Sequence, residues 1–263
     1  MPELDPRLHQ ELREIIDRGL TSGEFLTRSK IDDAIAGFRE RFGPAQLRNA
    51  DGEALLRLMH GREDVQVRPL MYWLEFKNDD EFPGSRFGDI RGGTALKFGL
   101  YQRKEDNEWI TGSNQNARVI TKSEAIALTR QQRDELLAGE AEIARLPRDD
   151  TSDATYARLQ SALERVAPET CDTVWARKYW SLLHADKLDD FHTIRYQRFH
   201  IFKMLQIPPG IANLLEQSGP RFVCAGRFIS AARSFDVPVN TLTSALVKRN
   251  GPPRRYWKVG NQT

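Results

Sequence analysis

The sequence predicts an α+β protein in which a small, mostly antiparallel sheet with helices is followed by an all-α region ending in a winged helix-turn-helix-like segment. Apolar residues recur at helical spacing at both ends of the chain, and short runs rich in aromatic and β-branched residues lie between them. The pattern of the C-terminal part predicts a helix, a tight turn, a second helix and a Gly/Pro loop. We expect three parts, namely a helical lead-in (1–62), a small α+β domain (63–147) and a helical domain (154–263).

The composition is that of an ordinary globular protein. The chain has 263 residues, 40% hydrophobic and 29% charged, with a net charge of +2, which argues against a protein that coats nucleic acid over its whole surface. No apolar run approaches the roughly 18 residues of a membrane helix, and the N-terminus lacks a signal segment. Cys171 and Cys224 form no CxxC pair. We therefore expect a cytoplasmic protein with buried, reduced thiols and no membrane contact.

The lead-in shows apolar residues at helical spacing over 4–20, 29–42 and 51–60. The next part contains three short runs that we interpret as strands, at 67–77, 95–103 and 108–111. Thr121 followed by Glu124 is a capping box, which predicts that a helix over 122–142 closes the sheet.

The polar residues 147–153 read as a linker. Beyond them, 155–166, 173–184 and 196–206 are predicted helices. Their aromatic side chains are expected to fill one helical core, and they are Trp175, Tyr179, Trp180, Phe191, Tyr196, Phe199 and Phe202.

The C-terminal segment carries the strongest functional pattern. Residues 222–235 have one apolar helical face, and Asp236-Val237-Pro238 interrupts it because Pro disfavours helix at the residue before it. A second helix follows, with Asn240 or Thr241 as the expected N-cap, and a Gly/Pro loop and a short strand at 254–259 complete the motif. In a helix-turn-helix the second helix enters the major groove of DNA.

Charge supports this interpretation, because the 221–260 segment holds eight basic residues and one acidic residue. Four polar side chains at the start of the second helix are the candidates for reading base edges: Asn240, Thr241, Thr243 and Ser244. The remaining candidate DNA contacts are Arg221, Arg227, Lys248, Arg249, Arg254, Arg255 and Lys258. A helical hairpin with a solvated basic face is the simpler alternative.

Other chemistry is weakly supported. Glu75-Phe76-Lys77 has the ExK form of Mg²⁺-dependent nucleases, with Asp64 as the second carboxylate, but a solvated strand end explains it more simply. There is no Walker A sequence and no GxSxG elbow, so we assign no cofactor and no strong catalytic set. His184, His192 and His200 are spaced by eight, unlike zinc ligand pairs, and we assign no metal.

Three blocks of sequence resemble the N-terminal region of large McrB-like AAA+ ATPases, which are related to restriction systems that recognise methylated DNA. The blocks are WLEFKNDDEFPGSRFGDIRGGTALKFGLYQRKEDNEWITGSNQ, WARKYWSLLHADKLDDFHTIRYQRFHIFKMLQIPP and CAGRF…RRYWKVG, and together they span about 65–260. In such proteins an ATP- or GTP-hydrolysing motor follows, whereas this chain reaches Thr263 without a Walker motif. We expect an isolated segment, a truncated product or a stand-alone relative.

The resemblance implies a non-catalytic DNA-binding specificity or recruitment module of a restriction-type phage-defence system, with duplex DNA, methylated DNA included, as its partner. The alternative is a protein-interaction or assembly segment for an AAA+ motor, and a nuclease is a weaker third. Trp73, Tyr101 and Trp109 are candidates for stacking on a base, although these aromatics can equally fill the core of the sheet.

Overall fold

A computed structural model of the chain describes residues 4–61, 68–77, 87–113, 115–205 and 220–253. It confirms an α+β fold, with a small antiparallel sheet and a helical region. The α-helices are α1 (Pro6–Thr21), α2 (Arg28–Phe42), α3 (Pro44–Asn49), α4 (Gly52–His60), α5 (Leu70–Tyr72), α6 (Lys122–Ala144), α7 (Asp153–Val166), α8 (Val174–Leu183), α9 (Ile194–Leu205), α10 (Ala225–Ser234) and α11 (Val239–Asn250).

The sheet has the order β1-β2-β3, with β1 at Leu100–Gln102, β2 at Trp109–Thr111 and β3 at Arg118–Ile120. Both pairs are antiparallel, and Tyr101, Ile110 and Val119 lie side by side in register. Leu100, Trp109 and Ile120 lie on the opposite face and pack with α4 and α6. On the other face Ile110 is also buried, at 4% exposed, and Val119 at the edge strand is 50% exposed.

The predicted strand at 67–77 is wrong. Its described part is helical, with α5 continuing into a π-helical turn at Trp73–Lys77. Trp73 is buried and its ring lies 4.7 Å from that of Phe38 on α2. A short apolar run fits a buried helical turn as well as a strand, and contact with α2 and α8 favours the helix.

The predicted strand at 95–103 is partly wrong, because Ala95–Phe98 is a 3-10 turn and the strand begins only at Leu100. Gly99 lies between them with φ 75°, a backbone conformation that glycine adopts without strain. The strand Arg118–Ile120 was not predicted. The capping box at Thr121 and Glu124 is confirmed, and α6 begins at Lys122 as its pattern predicts.

Two large apolar clusters cross the expected segment boundaries. One joins α2–α5 to α6, α7 and α8, and the other joins α1 to α9, α10 and α11. Leu8, Leu12 and Ile16 of α1 are buried in the second cluster, and each contributes about 1.5–3 kcal/mol of burial. Arg13 of α1 donates to the carbonyl of Phe235 at 2.8 Å, so the first helix of the chain is fixed against the last two.

Candidate nucleic-acid interface

The expected helix-turn-helix exists as two helices, α10 and α11, joined by a tight turn. Asp236 lies in that turn with φ 54°. The N-cap position of α11 is Pro238, so the expectation of Asn240 or Thr241 as the cap is wrong, and both residues lie inside the helix. The strand expected at 254–259 lies outside the described residues.

The start of α11 does not face solvent. The exposed fractions of Asn240, Thr241 and Thr243 are 4%, 1% and 3%, and Ser244 is half-buried. Side chains enclosed in this way do not reach the edges of bases in a groove. The interpretation of these four residues as base-reading side chains is therefore corrected.

Their burial has a specific cause. The helix lies against α1, α9 and α10, and Leu242, Ala245 and Leu246 belong to the second apolar cluster. Asn240 Nδ2 donates to Asp190 Oδ2 at 2.7 Å, and the hydroxyl of Thr243 donates to the carbonyl of Asn240 at 3.0 Å. Two of the polar side chains that the sequence pattern predicts as DNA contacts therefore form hydrogen bonds within the protein.

The basic residues of this segment are largely neutralised by the protein's own carboxylates. Arg221 pairs with Asp189 at 2.9 Å, and its side chain is 2% exposed. The other three pairs are Arg227 with Asp153 at 2.5 Å, Lys248 with Glu24 at 2.7 Å and Arg249 with Glu11 at 2.9 Å. Arg254, Arg255 and Lys258 lie outside the described residues.

The Asp189–Arg221 pair belongs to a buried polar junction between the helical clusters. Asp189 also accepts hydrogen bonds from the amide of Phe191 at 3.0 Å and from Gln197 Nε2 at 2.7 Å. His192 Nε2 lies 2.8 Å from the carbonyl of Phe87. Burial, followed by the nearby positive charge of Lys178, holds the pKa of His192 well below its usual range. This junction ties the segment before α9 to α10.

Asp190 is another buried carboxylate beside that junction. Its Oδ1 has no hydrogen-bond partner among the described residues, and a cavity of about 20 Å³ lies beside it. A cavity of this size holds at most one water molecule. Burial raises the pKa of Asp190 to about 7, against the opposing hydrogen bonds from Thr243 and Asn240. The site is too small for a substrate, and its role is structural.

Glu75, the described carboxylate of the predicted nuclease motif, is also bonded within the protein. The carboxylate of Glu75 bonds Lys97 Nζ, which donates in addition to the carbonyls of Ile90 at 2.8 Å and Gly92 at 2.9 Å. Glu75 lies on a π-helical turn instead of a strand. Asp64 and the side chain of Lys77 lie outside the described residues. Lys97 therefore ties Glu75 to the glycine-rich loop.

Two of the three candidate stacking residues fill apolar clusters. Trp73 and Trp109 are 6% and 9% exposed. Tyr101 is half-buried on the opposite face of the sheet, next to Ile110 and Val119. Trp73 and Trp109 are corrected to core residues, and nothing brings Tyr101 together with them on one open surface.

The three histidines have partners within the fold. His184 Nε2 lies 3.3 Å from Glu140, and His200 Nδ1 lies 3.2 Å from the amide of Asn250. Burial lowers the pKa of His200 to about 4. In the part of the chain that the structure describes, no three His, Cys, Asp or Glu side chains are grouped to hold a metal ion.

A different surface combines exposed cations with aromatic side chains. We call it the α9 outer face, and it consists of Arg195, Tyr196, Phe199, Phe202 and Lys203, which recur at three- and four-residue spacing along one side of the helix. Arg195 and Lys203 are exposed, Tyr196 is 39% exposed, and the two Phe side chains are half-buried. The expectation that these three aromatics fill the helical core is wrong.

The other side of α9 explains this arrangement. Its buried residues are Gln197, Arg198, His200, Ile201 and Met204. Ile201 and Met204 belong to the second apolar cluster, so they fix which side of α9 faces inward. Of the aromatic rings at the other positions, that of Tyr196 is exposed and those of Phe199 and Phe202 are half-buried.

The C-terminal segment contacts α9 at Pro253. Arg195 Nη2 donates to the carbonyl of Pro253 at 3.2 Å, and Arg254 and Arg255 follow directly in the sequence. The described end of the C-terminal segment therefore lies beside the first turn of α9.

A charge signal in the sequence points to this surface. Residues 191–215 contain three basic residues and no acidic residue, and residues 237–263 contain five basic residues and none that is acidic. By contrast, the groove of about 790 Å³ beside the end of α1 is lined by two carboxylates and two cations, so its charges cancel. Net charge alone hides this asymmetry, because acidic residues elsewhere balance it.

No protein-family model matches the chain, and no curated protein or solved structure is detectably similar to it. None of the helices among the described residues is both long and apolar enough to cross a lipid bilayer.

Proposed function

We propose that the chain is a non-catalytic DNA-binding recruitment module that contacts phosphates through the α9 outer face and the basic run beginning at Arg254. The observation that carries the proposal is the hydrogen bond from Arg195 to the carbonyl of Pro253, the residue that precedes the basic run in the sequence. Phosphate contacts need clustered cations. Arg195 and Lys203 are both exposed on α9.

The biological setting rests on the resemblance to McrB-like AAA+ ATPases. It supports a place in a cytoplasmic restriction-type defence system, with duplex DNA, methylated DNA included, as the partner. Contacts to phosphates position a protein on DNA without reading sequence. Recognition of a particular base is therefore not part of this proposal.

The test is a fluorescence-anisotropy titration of a labelled duplex at two salt concentrations. The expected result is salt-dependent binding, and Arg195→Ala with Lys203→Ala should lower the slope of log K against log salt by about two. The double variant Arg254→Ala with Arg255→Ala should act in the same direction.

The matched control is Lys104→Ala with Arg165→Ala. Both cations are exposed, Lys104 in the turn between β1 and β2 and Arg165 in the last turn of α7. This variant carries the same net charge as the α9 variant and should bind like the unmodified chain. Equal losses of duplex affinity in the two variants would mean that binding depends only on overall charge. Absence of duplex binding by the unmodified chain at low salt would remove the proposal.

A second candidate is docking onto an AAA+ motor. It is favoured by the face of the sheet that carries Tyr101, Ile110 and Val119, because Val119 is 50% exposed. A size-exclusion shift with such a motor, lost on Val119→Asp and seen without DNA, would support this function in place of the first.

A further inference from the structure

The α9 outer face carries aromatic rings as well as cations, and phosphate binding alone does not require rings. Tyr196, Phe199 and Phe202 follow each other at three-residue intervals, so each lies about 4.5 Å further along the helix axis than the one before it. Arg195 and Lys203 flank them at the two ends of the row. Rings between cations are typical of surfaces that bind single-stranded nucleic acid.

We infer that the α9 outer face binds unpaired stretches of nucleic acid, with Tyr196 stacking on a base while Arg195 and Lys203 contact the flanking phosphates. In a duplex the faces of the bases are covered by their neighbours, so only an unpaired strand can use the rings. The inference rests on the proposed function and adds the class of strand that the same site prefers.

Charge favours a polyanion over an apolar protein segment as the occupant. Arg195 and Lys203 are the exposed cations of the helix, which contains no acidic residue. The ring of Tyr196 is the most open of the three, at 39% exposure, and its centroid lies 6.4 Å from that of His200.

The experiment compares three labelled probes of equal length by fluorescence anisotropy: a thymidine oligonucleotide, the same backbone with abasic sites, and a duplex. The abasic strand keeps the phosphates and lacks the bases. The unmodified chain should bind the thymidine strand at least about tenfold more tightly than either other probe.

Tyr196→Ala should weaken binding of the thymidine strand by about five- to a hundredfold and leave the abasic strand unaffected. Tyr196→Phe keeps the ring and should retain binding, which separates stacking from loss of the hydroxyl. Both variants should give the circular dichroism spectrum of the unmodified chain.

Equal affinity for the thymidine and abasic strands, or a duplex bound as tightly as the thymidine strand, would overturn the inference and leave the proposed function standing. Failure of all three probes to bind at low salt would remove both. The inference would also be overturned if no probe bound and a partner protein bound the chain only when Tyr196 was present. The rings would then contact a protein.

Discussion

The guanidinium of Arg221 lies against the carboxylate of Asp189 with two hydrogen bonds, of 2.9 Å between Nη2 and Oδ1 and 3.0 Å between Nη1 and Oδ2. The side chains are 2% and 0% exposed. An arginine expected at a DNA surface is therefore an internal link between the segment before α9 and the start of α10.

Arg221→Met should lower the free energy of unfolding by about 3–5 kcal/mol, because it leaves the charge of Asp189 buried without its partner. Urea denaturation measures this. The control is Arg57→Ala, which breaks the exposed pair with Glu53 and should cost less than about 1 kcal/mol. Similar losses in the two variants would contradict the assignment of Arg221 to the core.

Histidine burial should make the protein less stable in acid. Burial lowers the pKa of His60 and of His200 to about 4, whereas an unfolded histidine titrates near 6.5. Below pH 6.5 the unfolded chain binds protons that the folded chain does not. The free energy of unfolding should therefore fall between pH 6.5 and 4 by about 1.4 kcal/mol per pH unit for each histidine. His60→Gln should flatten the profile.

Asp190 should have the opposite effect. Its pKa is about 7 in the folded protein and near 3.8 when unfolded, so only the folded state keeps the proton between these values. Its contribution to stability is complete below pH 3.8 and is lost as the pH rises to 7. Asp190→Asn should gain about 2–3 kcal/mol relative to the unmodified chain between pH 5 and pH 7, measured by urea denaturation. A constant difference across this range would refute the assignment.

Two glycines within helices should respond in opposite directions to alanine. A Cβ at Gly139 would lie 2.3 Å from Trp180 Cζ2, so Gly139→Ala should cost about 1–3 kcal/mol through overpacking. A Cβ at Gly37 meets no atom within 4 Å, and Gly37→Ala should stabilise α2 by about 0.5–1 kcal/mol. Thermal denaturation of both variants checks the sign. Stabilisation by both would show that α6 is not packed on Trp180 in this way.

Lys97 should order the glycine-rich loop. Lys97→Met removes its hydrogen bonds to Ile90, Gly92 and Glu75, and we expect faster amide hydrogen exchange over residues 88–97. Lys104→Met, at an exposed position, should leave exchange in this segment unchanged. A loop with unaltered protection in Lys97→Met would contradict this role of Lys97. A magnesium-dependent cleavage activity that the variant abolishes would return Glu75 to the catalytic candidates.

Features that depend only on neighbours along the chain could be predicted from local patterns of residues. Thr121 and Glu124 are three residues apart, so their capping box was readable before any packing was known. The helices on either side of Asp236 follow from apolar spacing and from the proline after it. The α+β class follows from the same local patterns.

Which polar side chains face water depends on contacts between residues that are far apart along the chain. Arg221 and Asp189 are separated by 32 residues, and Asn240 and Asp190 by 50, so no local pattern showed that these partners meet. The inward side of α9 was likewise set by contact of Ile201 and Met204 with residues of α1, α10 and α11. Local spacing gives a helix its faces, but burial is a property of what packs against them.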